Sequence, residues 1–149
     1  MKCKKGVTLV ELVVVMAIIA LGAVLFVPNL GTWISYYRLR SATRDITSAL
    51  RTAQMKAVSN NISYRVRFNA GENSFVILYQ TTDDFKPEGP SQKLPQGVAI
   101  SEVSFSGGTD YVVFNRDSTS SAGHLTLSNA KGTKRTITVS SATGRVRVD

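Results

Sequence analysis

One carboxylate lies near the start of a long apolar segment. Glu11 interrupts the run VTLVELVVVMAIIALGAVLFV at residues 7–27. In lipid, an unpaired ionisable side chain costs on the order of a few kcal/mol, so Glu11 is a functional candidate. If the chain were cut after Gly6, the new α-amino group of Val7 would stand one helical turn from Glu11. The two charges could then pair, within one chain or between packed neighbours.

The apolar segment is long enough to cross a bilayer. Residues 7–27 would span roughly 31 Å at about 1.5 Å per residue, against a hydrocarbon core of about 30 Å. Lys2, Lys4 and Lys5 precede the segment. The positive-inside tendency therefore predicts a cytoplasmic leader and an exported remainder. The alternative is an uncleaved membrane anchor, which would have no need of Glu11.

The stretch KKGVTLVELVVVMAIIA resembles the class III signal of type IV pilins and type II secretion pseudopilins. The resemblance implies that a prepilin peptidase cuts between Gly6 and Val7 and that Val7 is N-methylated. It also implies that Glu11 matches the family's assembly glutamate. Val7 departs from the phenylalanine that usually begins the mature chain. We therefore expect a single-pass protein of the bacterial inner membrane with its C-terminal domain in the periplasm, whose partners are the peptidase and other pilin or pseudopilin subunits.

Pro28 closes the apolar segment. A proline at this position removes the helical hydrogen bond to the Val24 carbonyl, so we predict a kink at Pro28. The position also resembles the proline that kinks pilin helices. A simple helix end at the membrane surface is the alternative. The predicted divisions are a leader at 1–6 and a transmembrane and assembly helix at 7–28.

Beyond Pro28 the pattern predicts an amphipathic helix at 29–60. Its apolar stripe recurs at three- and four-residue steps. The stripe consists of Ala42, Ile46, Ala49, Leu50, Ala53 and Ala57. Arg40, Arg44 and Arg51 fall on another face. Because alanine permits close approach, we expect the stripe to pack on a sheet.

Residues 61–149 are predicted to form a β-rich domain. Apolar residues alternate on both sides of the turn-forming NAGEN, which predicts a hairpin over 64–79. Residues 81–97 are rich in proline and glycine and predict a loop. Further strands are predicted at 98–105, 111–115, 124–128, 135–140 and 145–148. The fold class is therefore α+β, a long N-terminal helix packed on an antiparallel sheet, which is the pilin plan.

The C-terminal half resembles the GspH/FimT family of minor pilins and pseudopilins, through YVVFNRDSTSSAGHLTLSN and KRTITVSSATGRVRVD. The resemblance implies a minor subunit that enters or primes a periplasmic filament, either a pilus or a type II secretion pseudopilus. Such a protein is structural rather than enzymatic. Cys3 is the only cysteine and precedes the cleavage point, so the mature chain cannot form an internal disulfide.

Enzymatic signatures are absent from the sequence. It contains no metal-spaced His/Cys cluster, no glycine-rich phosphate loop and no cysteine nucleophile in the mature chain. The one histidine, His124, begins a predicted strand and is interpreted as structural. Asp83, Asp84 and Glu88 lack the spacing of a calcium loop. We expect no catalytic residue, metal or cofactor.

The C-terminal region is basic in a chain of net charge +8. Its cations are Lys131, Lys134, Arg135, Arg145 and Arg147, and its one acid is Asp149. In an extended strand Arg145 and Arg147 share a face and could contact successive phosphates. The sequence Gly144-Arg145-Val146-Arg147 resembles the GRxR motif associated with DNA binding in FimT-type minor pilins that assist natural transformation.

Two interpretations of these basic residues remain open. One is a DNA-binding minor pilin acting in DNA uptake, with Lys134, Arg135, Gly144, Arg145 and Arg147 as the contact residues. Binding would be independent of DNA sequence, because no aromatic side chain accompanies the arginines to stack on bases. The other is an ordinary final strand with basic outward positions.

Overall fold

The structure, a computed structural model, describes residues 6–149 except for the side chains of 24–30. Apart from Gly6, the predicted leader lies outside the described residues. The side chain of Pro28 also lies outside the described residues, and the predicted kink there stays a prediction. The chain forms two compact units, of which the first ends at Ile34 and the second comprises Ser35–Asp149.

The described residues form one helix followed by nine strands. Helix α1 (Leu9–Asn60) contributes to both units. The strands are β1 (Tyr64–Asn69), β2 (Ser74–Gln80), β3 (Phe85–Pro87), β4 (Gln92–Lys93), β5 (Val98–Phe105), β6 (Tyr111–Phe114), β7 (Gly123–Asn129), β8 (Lys134–Val139) and β9 (Val146–Val148). This α+β arrangement confirms the predicted fold class.

In the first unit, α1 carries apolar side chains on all sides. The large apolar residues described from Val7 to Leu21 are each at least 50% exposed. Among the described residues, this part of the helix therefore has no broad polar face, and apolar surroundings would stabilise it. No helix within the described residues has both the length and the hydropathy needed to cross a membrane.

In the second unit, α1 packs on the sheets through the predicted alanine-rich stripe. Every residue of that stripe is buried, and Leu39 extends it by one turn towards the N-terminus. The alanine side chains are small, which allows the helix backbone to approach the sheet closely. The helix ends at Asn60, and Asn61 follows with a φ of 54°. An asparagine tolerates this left-handed conformation, which stops the helix.

The first sheet has the order β3-β2-β1-β6 and is antiparallel. The hairpin β1–β2 has the predicted alternation, since Tyr64, Val66 and Phe68 are buried on one face. Val66 is paired with Ile77 on one side and with Val112 on the other. The apolar face of β1 thus lies at the centre of the core.

The prediction that residues 81–97 are a loop was wrong for two short stretches. β3 and β4 both pair with β2. Pro87 is opposite Leu78 in the β2–β3 ladder. A proline has no N–H to donate, so it is tolerated on an edge strand of this kind. The proline and glycine content of this segment predicted a loop, whereas pairing with the edge of β2 stabilises β3 and β4 as strands.

The second sheet has the order β5-β7-β8-β9 and is also antiparallel. Its inward side chains, including Leu125, Leu127 and Ile137, are fully buried. The rings of Phe68 and Phe105 stack with their centroids 5.8 Å apart, which joins the core residues of the two sheets. β9 is the last strand of the sheet, so the basic C-terminal residues lie at a sheet edge.

Candidate functional site

Thr8 forms the N-terminal cap of α1. Its Oγ1 accepts a hydrogen bond from the Glu11 backbone N–H at 3.2 Å, and the Leu12 N–H donates to the Thr8 carbonyl at 3.1 Å. A threonine followed three residues later by a glutamate has the spacing of a capping box. Glu11 was predicted from its charge, whereas Thr8 was not predicted. The T-x-x-E pattern before an apolar run was the signal that could have found it.

The Gly6–Val7 peptide bond lies just outside the helix. Both residues are exposed and precede the first helical residue, Leu9. Among the described residues beyond its chain neighbours, no atom lies within 4 Å of the position that a Cβ on Gly6 would occupy. A peptidase must bind its substrate backbone in a non-helical form. The geometry at this predicted cleavage position leaves the backbone accessible.

Glu11 is exposed in the first turn of α1. A carboxylate there is stabilised by the positive end of the helix dipole. Within the described residues Glu11 forms no ion pair. Its predicted partner is the α-amino group of Val7, which exists only after cleavage, because the Val7 nitrogen of the uncleaved chain belongs to a peptide bond. That pairing stays a prediction.

The structure places the predicted basic residues of β8 on two different faces. Arg135 shares its face with the buried Ile137 and Val139, while Lys134 points to the opposite face. The Arg135 Nη2 donates to the Tyr36 hydroxyl at 3.1 Å. Its guanidinium carbon lies 5.8 Å from the Tyr36 ring centroid. Arg135 therefore faces α1.

The other predicted arginines belong to the outer face. Arg147 is paired with Thr138, on the same side of the sheet as Lys134. Arg145 is two residues before Arg147 and is also exposed. The structure thus groups Lys134, Arg145 and Arg147 and separates Arg135 from them.

Gly144 has a structural reason to be glycine. Its φ is +59°, and a Cβ there would lie 2.6 Å from Gln54 Nε2 and 3.0 Å from the Ser118 carbonyl oxygen. The same Gln54 Nε2 donates to the Thr143 carbonyl at 2.9 Å. The glycine of the GRxR-like sequence therefore permits a close contact between the C-terminal turn and α1. Sequence reasoning missed Gln54, and no local pattern marks it.

The remaining titratable candidates take part in surface contacts. His124 Nε2 lies 3.4 Å from a Glu102 carboxylate oxygen, and Lys56 Nζ lies 2.8 Å from Glu88. Asp84 Oδ1 accepts the Phe85 N–H at 2.7 Å. Across the described ranges, no three His, Cys, Asp or Glu residues form a group that could hold a metal ion.

Asp117 organises the loop between β6 and β7. The Thr119 hydroxyl donates to Asp117 Oδ1 at 2.6 Å, and the Thr119 N–H donates to the same oxygen at 3.0 Å. These hydrogen bonds favour the ionised form and hold the pKa of Asp117 below its ordinary value of 3.8. Ser118 between them has a φ of 67° and directs its carbonyl towards Gly144.

Two family matches cover most of the chain. Residues 42–143 match the family of the type II transport protein GspH. Residues 1–27 match the prokaryotic N-terminal methylation motif. No curated protein matches the sequence.

Solved structures show the same fold at low sequence identity. The minor pseudopilin EpsH from the type II secretion system of Vibrio cholerae has a TM-score of 0.64 and 11% identity, over 75% of this chain and 96% of its own. The solution structure of Escherichia coli GspH has a TM-score of 0.60 and 14% identity, over 76% of this chain and 88% of its own. The type IV minor pilin FimU of Pseudomonas aeruginosa has a TM-score of 0.59 and 13% identity, over 78% of this chain and 92% of its own.

Proposed function

This chain belongs to the GspH family of type II transport proteins and is a minor pilin or pseudopilin, and from that premise we propose how its N-terminal segment works. The methylation motif indicates prepilin processing. In our proposal a prepilin peptidase cuts the Gly6–Val7 bond and Val7 is then N-methylated. The apolar helix holds the chain in the bacterial inner membrane as a single span, with the C-terminal domain in the periplasm.

The observation that carries this proposal is the exposure of the first unit's apolar side chains. From Val7 to Leu21 they cover the helix on every side. Burial contributes roughly 25 cal/mol per Å² of apolar surface, so this helix is strongly stabilised by lipid or by other apolar helices. Before assembly, lipid covers this apolar surface. After assembly, the helices of neighbouring subunits cover it. One helix surface therefore supports both anchoring and polymerisation.

We propose that Glu11 makes the filament more favourable for this chain than the lipid bilayer. In lipid an unpaired carboxylate is costly, and cleavage creates an α-amino group at Val7 that can neutralise it. In a filament that amine belongs to a chain packed alongside. Thr8 fixes the first turn by bonding to the Glu11 backbone, so the Glu11 side chain starts from an ordered helix end. Assembly is then favoured over remaining alone in the membrane.

The domain beyond Ser35 is proposed to act through its surface, without catalysis. His124, Glu102, Glu88 and Asp84 make the surface contacts described above. None of these contacts pairs a nucleophile with a base. We therefore propose a structural subunit that enters or primes a periplasmic pilus or pseudopilus together with other subunits.

The DNA-uptake alternative has one observation in its favour. Lys134, Arg145 and Arg147 share the outer face of the β8–β9 edge. A row of cations of this kind can contact a phosphate backbone. DNA binding by this chain stays a prediction.

Intact-mass measurement of protein extracted from native membranes tests the proposal. The expected mass lacks residues 1–6 and includes one methyl group. A Gly6→Leu variant should keep its leader, because the cleavage position no longer has a small residue. Gly22→Leu is the matched control, since at both glycines no described atom beyond the chain neighbours and the local helix backbone lies within 4 Å of an added Cβ. Wild-type protein that keeps residues 1–6 would refute the proposal.

A further inference from the structure

A groove runs between α1 and the C-terminal strand within the second unit. It consists of two adjoining hollows of about 560 and 440 Å³, which share Arg51 and Met55 as lining residues. One wall is the α1 face with Arg40 and Arg44, and the other is formed by β8 and β9. The groove combines residues that are far apart in the sequence.

Six arginines line this groove, and within the described chain no acidic residue does. Arg40, Arg44 and Arg51 of α1 and Arg135 of β8 line it from its two walls, and Arg145 and Arg147, whose side chains start on the outer face of the sheet, border it at the edge strand. The ion pairs found among the described residues are Lys56–Glu88 and His124–Glu102, so none of the six is paired. Arg135 bonds to the Tyr36 hydroxyl, which leaves its charge uncompensated. The groove is therefore suited to a ligand with several negative charges.

The strand wall of the groove is an open sheet edge. β9 is the end strand of the order β5-β7-β8-β9, and in the described chain no strand lies beyond it. The Ser140 N–H bonds to the Arg145 carbonyl, and Thr136 exchanges two bonds with Asp149. Because hydrogen-bonded pairs alternate along an antiparallel ladder, the peptide groups of Val146 and Val148 face away from β8. An added strand could pair with them.

The groove also has an apolar floor. Met55 is 64% exposed and Val148 is 39% exposed. A sugar-phosphate chain has no apolar side chain to cover these groups. The methylene groups of glutamate can cover them while the carboxylates reach the arginines. The combination of open backbone edge, apolar floor and arginine walls favours a polypeptide.

We propose that this groove binds an extended acidic segment of another filament subunit, which adds to the free edge of β9 as a further strand. Backbone hydrogen bonds to Val146 and Val148 would supply affinity, and the arginines would select carboxylates at alternate positions. The inference rests on the proposed function for the identity of the partner as a subunit. The binding chemistry itself is independent of cleavage and assembly.

The first experiment measures binding of a fluorescent seven-residue peptide that alternates glutamate with threonine. The full chain is used in non-ionic detergent micelles, and the peptide with lysine in place of glutamate is the control. We expect only the acidic peptide to bind, with affinity that falls as salt rises. Arg44→Gln with Arg51→Gln should weaken binding by about tenfold or more, because two charge-assisted hydrogen bonds are lost.

The matched control for this pair is Arg67→Gln with Arg116→Gln. Both residues are exposed, and neither lines the groove. The control removes the same charge from the protein. If it weakens binding as much as the groove variant does, the affinity comes from net charge and the proposed site is refuted.

A second experiment tests strand addition. Alternate N–H groups of a strand point to opposite edges, so only one set can face β9. Two peptides are therefore compared, one N-methylated at the glutamate amides and the other at the threonine amides. We expect one of the two to lose binding and the other to keep it. Equal effects of the two sets would overturn strand addition.

Duplex DNA and vesicles of anionic phospholipid serve as competing probes. Should either bind more tightly than the peptide and lose affinity through the Arg44 and Arg51 substitutions, the groove is a phosphate site and the proposal is wrong. No peptide binding at low salt would also overturn it. Neither result affects leader removal, which intact mass reports separately, so failure of this inference is distinguishable from failure of the proposed function.

Discussion

Gln54 in α1 donates a hydrogen bond to the Thr143 carbonyl at 2.9 Å and thereby holds the C-terminal turn against the helix. Gly144 follows directly, with a left-handed φ and no room for a Cβ. The next residues form β9, the strand that bears Arg147 and completes the second sheet. This one contact therefore sets where the basic edge of the domain lies relative to the part of α1 in the same unit.

Gly144→Ala should destabilise the second unit. The added methyl group would lie 2.6 Å from Gln54 Nε2, and the φ of +59° is strained for alanine. We expect a loss of about 1–3 kcal/mol in the free energy of unfolding, measured by urea denaturation. Gly89→Ala is the control, because beyond its chain neighbours no described atom lies within 4 Å of an added Cβ, and its φ is not in the left-handed region. Equal stability of the two variants would contradict this explanation.

Glu11→Gln separates the charge of Glu11 from its position in the capping box. Glutamine retains the capping potential and lacks the negative charge. We expect normal membrane insertion and impaired assembly, measured as the fraction of the subunit recovered with the filament. Replacement by leucine should have the same effect on assembly.

Thr8→Ala is the matched control for Glu11→Gln. It removes the hydrogen bond to the Glu11 N–H and keeps the carboxylate, at a cost of about 1 kcal/mol in helix stability. We expect this variant to assemble. Assembly of Glu11→Gln at the wild-type level would show that the charge is unnecessary.

The DNA-uptake alternative predicts salt-dependent binding of duplex DNA. If it is correct, Arg145→Ala with Arg147→Ala should reduce the slope of log K against log salt by about 2, because two phosphate contacts are lost. Arg135→Ala should have a smaller effect, since Arg135 faces α1 and bonds to Tyr36. Gel-shift titration of the full chain in non-ionic detergent measures both. Unchanged binding in the double variant would remove Arg145 and Arg147 from any DNA site.

Asp117 should make stability depend on pH in the acid range. Its pKa is lowered by the hydrogen bonds from Thr119, so ionised Asp117 stabilises the folded chain. This contribution is complete above the unfolded pKa of about 3.8 and is lost as the pH falls through the lowered folded pKa. Asp117→Asn should therefore be less stable than wild type at neutral pH. Urea midpoints of the two proteins should converge at low pH, and a constant difference would contradict the assignment.

The sequence by itself determined those features that depend on local pattern. The apolar run with its single Glu11 led to the resemblance to pilins, and the family matches confirm it. The alanine-rich stripe of α1 and the alternation in β1 and β2 are periodicities of single elements. They were predictable because the side chains of a helix or strand repeat with a period that needs no knowledge of distant residues.

The tertiary structure decided which elements meet. β3 and β4 exist because β2 offers them a hydrogen-bonding edge, and their own prolines and glycines gave no sign of it. Gln54 contacts Thr143 across 89 positions of sequence. Arg135 faces α1 and Lys134 does not, because the core packs on only one side of β8. Such relationships depend on long-range packing, which brings together residues that no local periodicity connects.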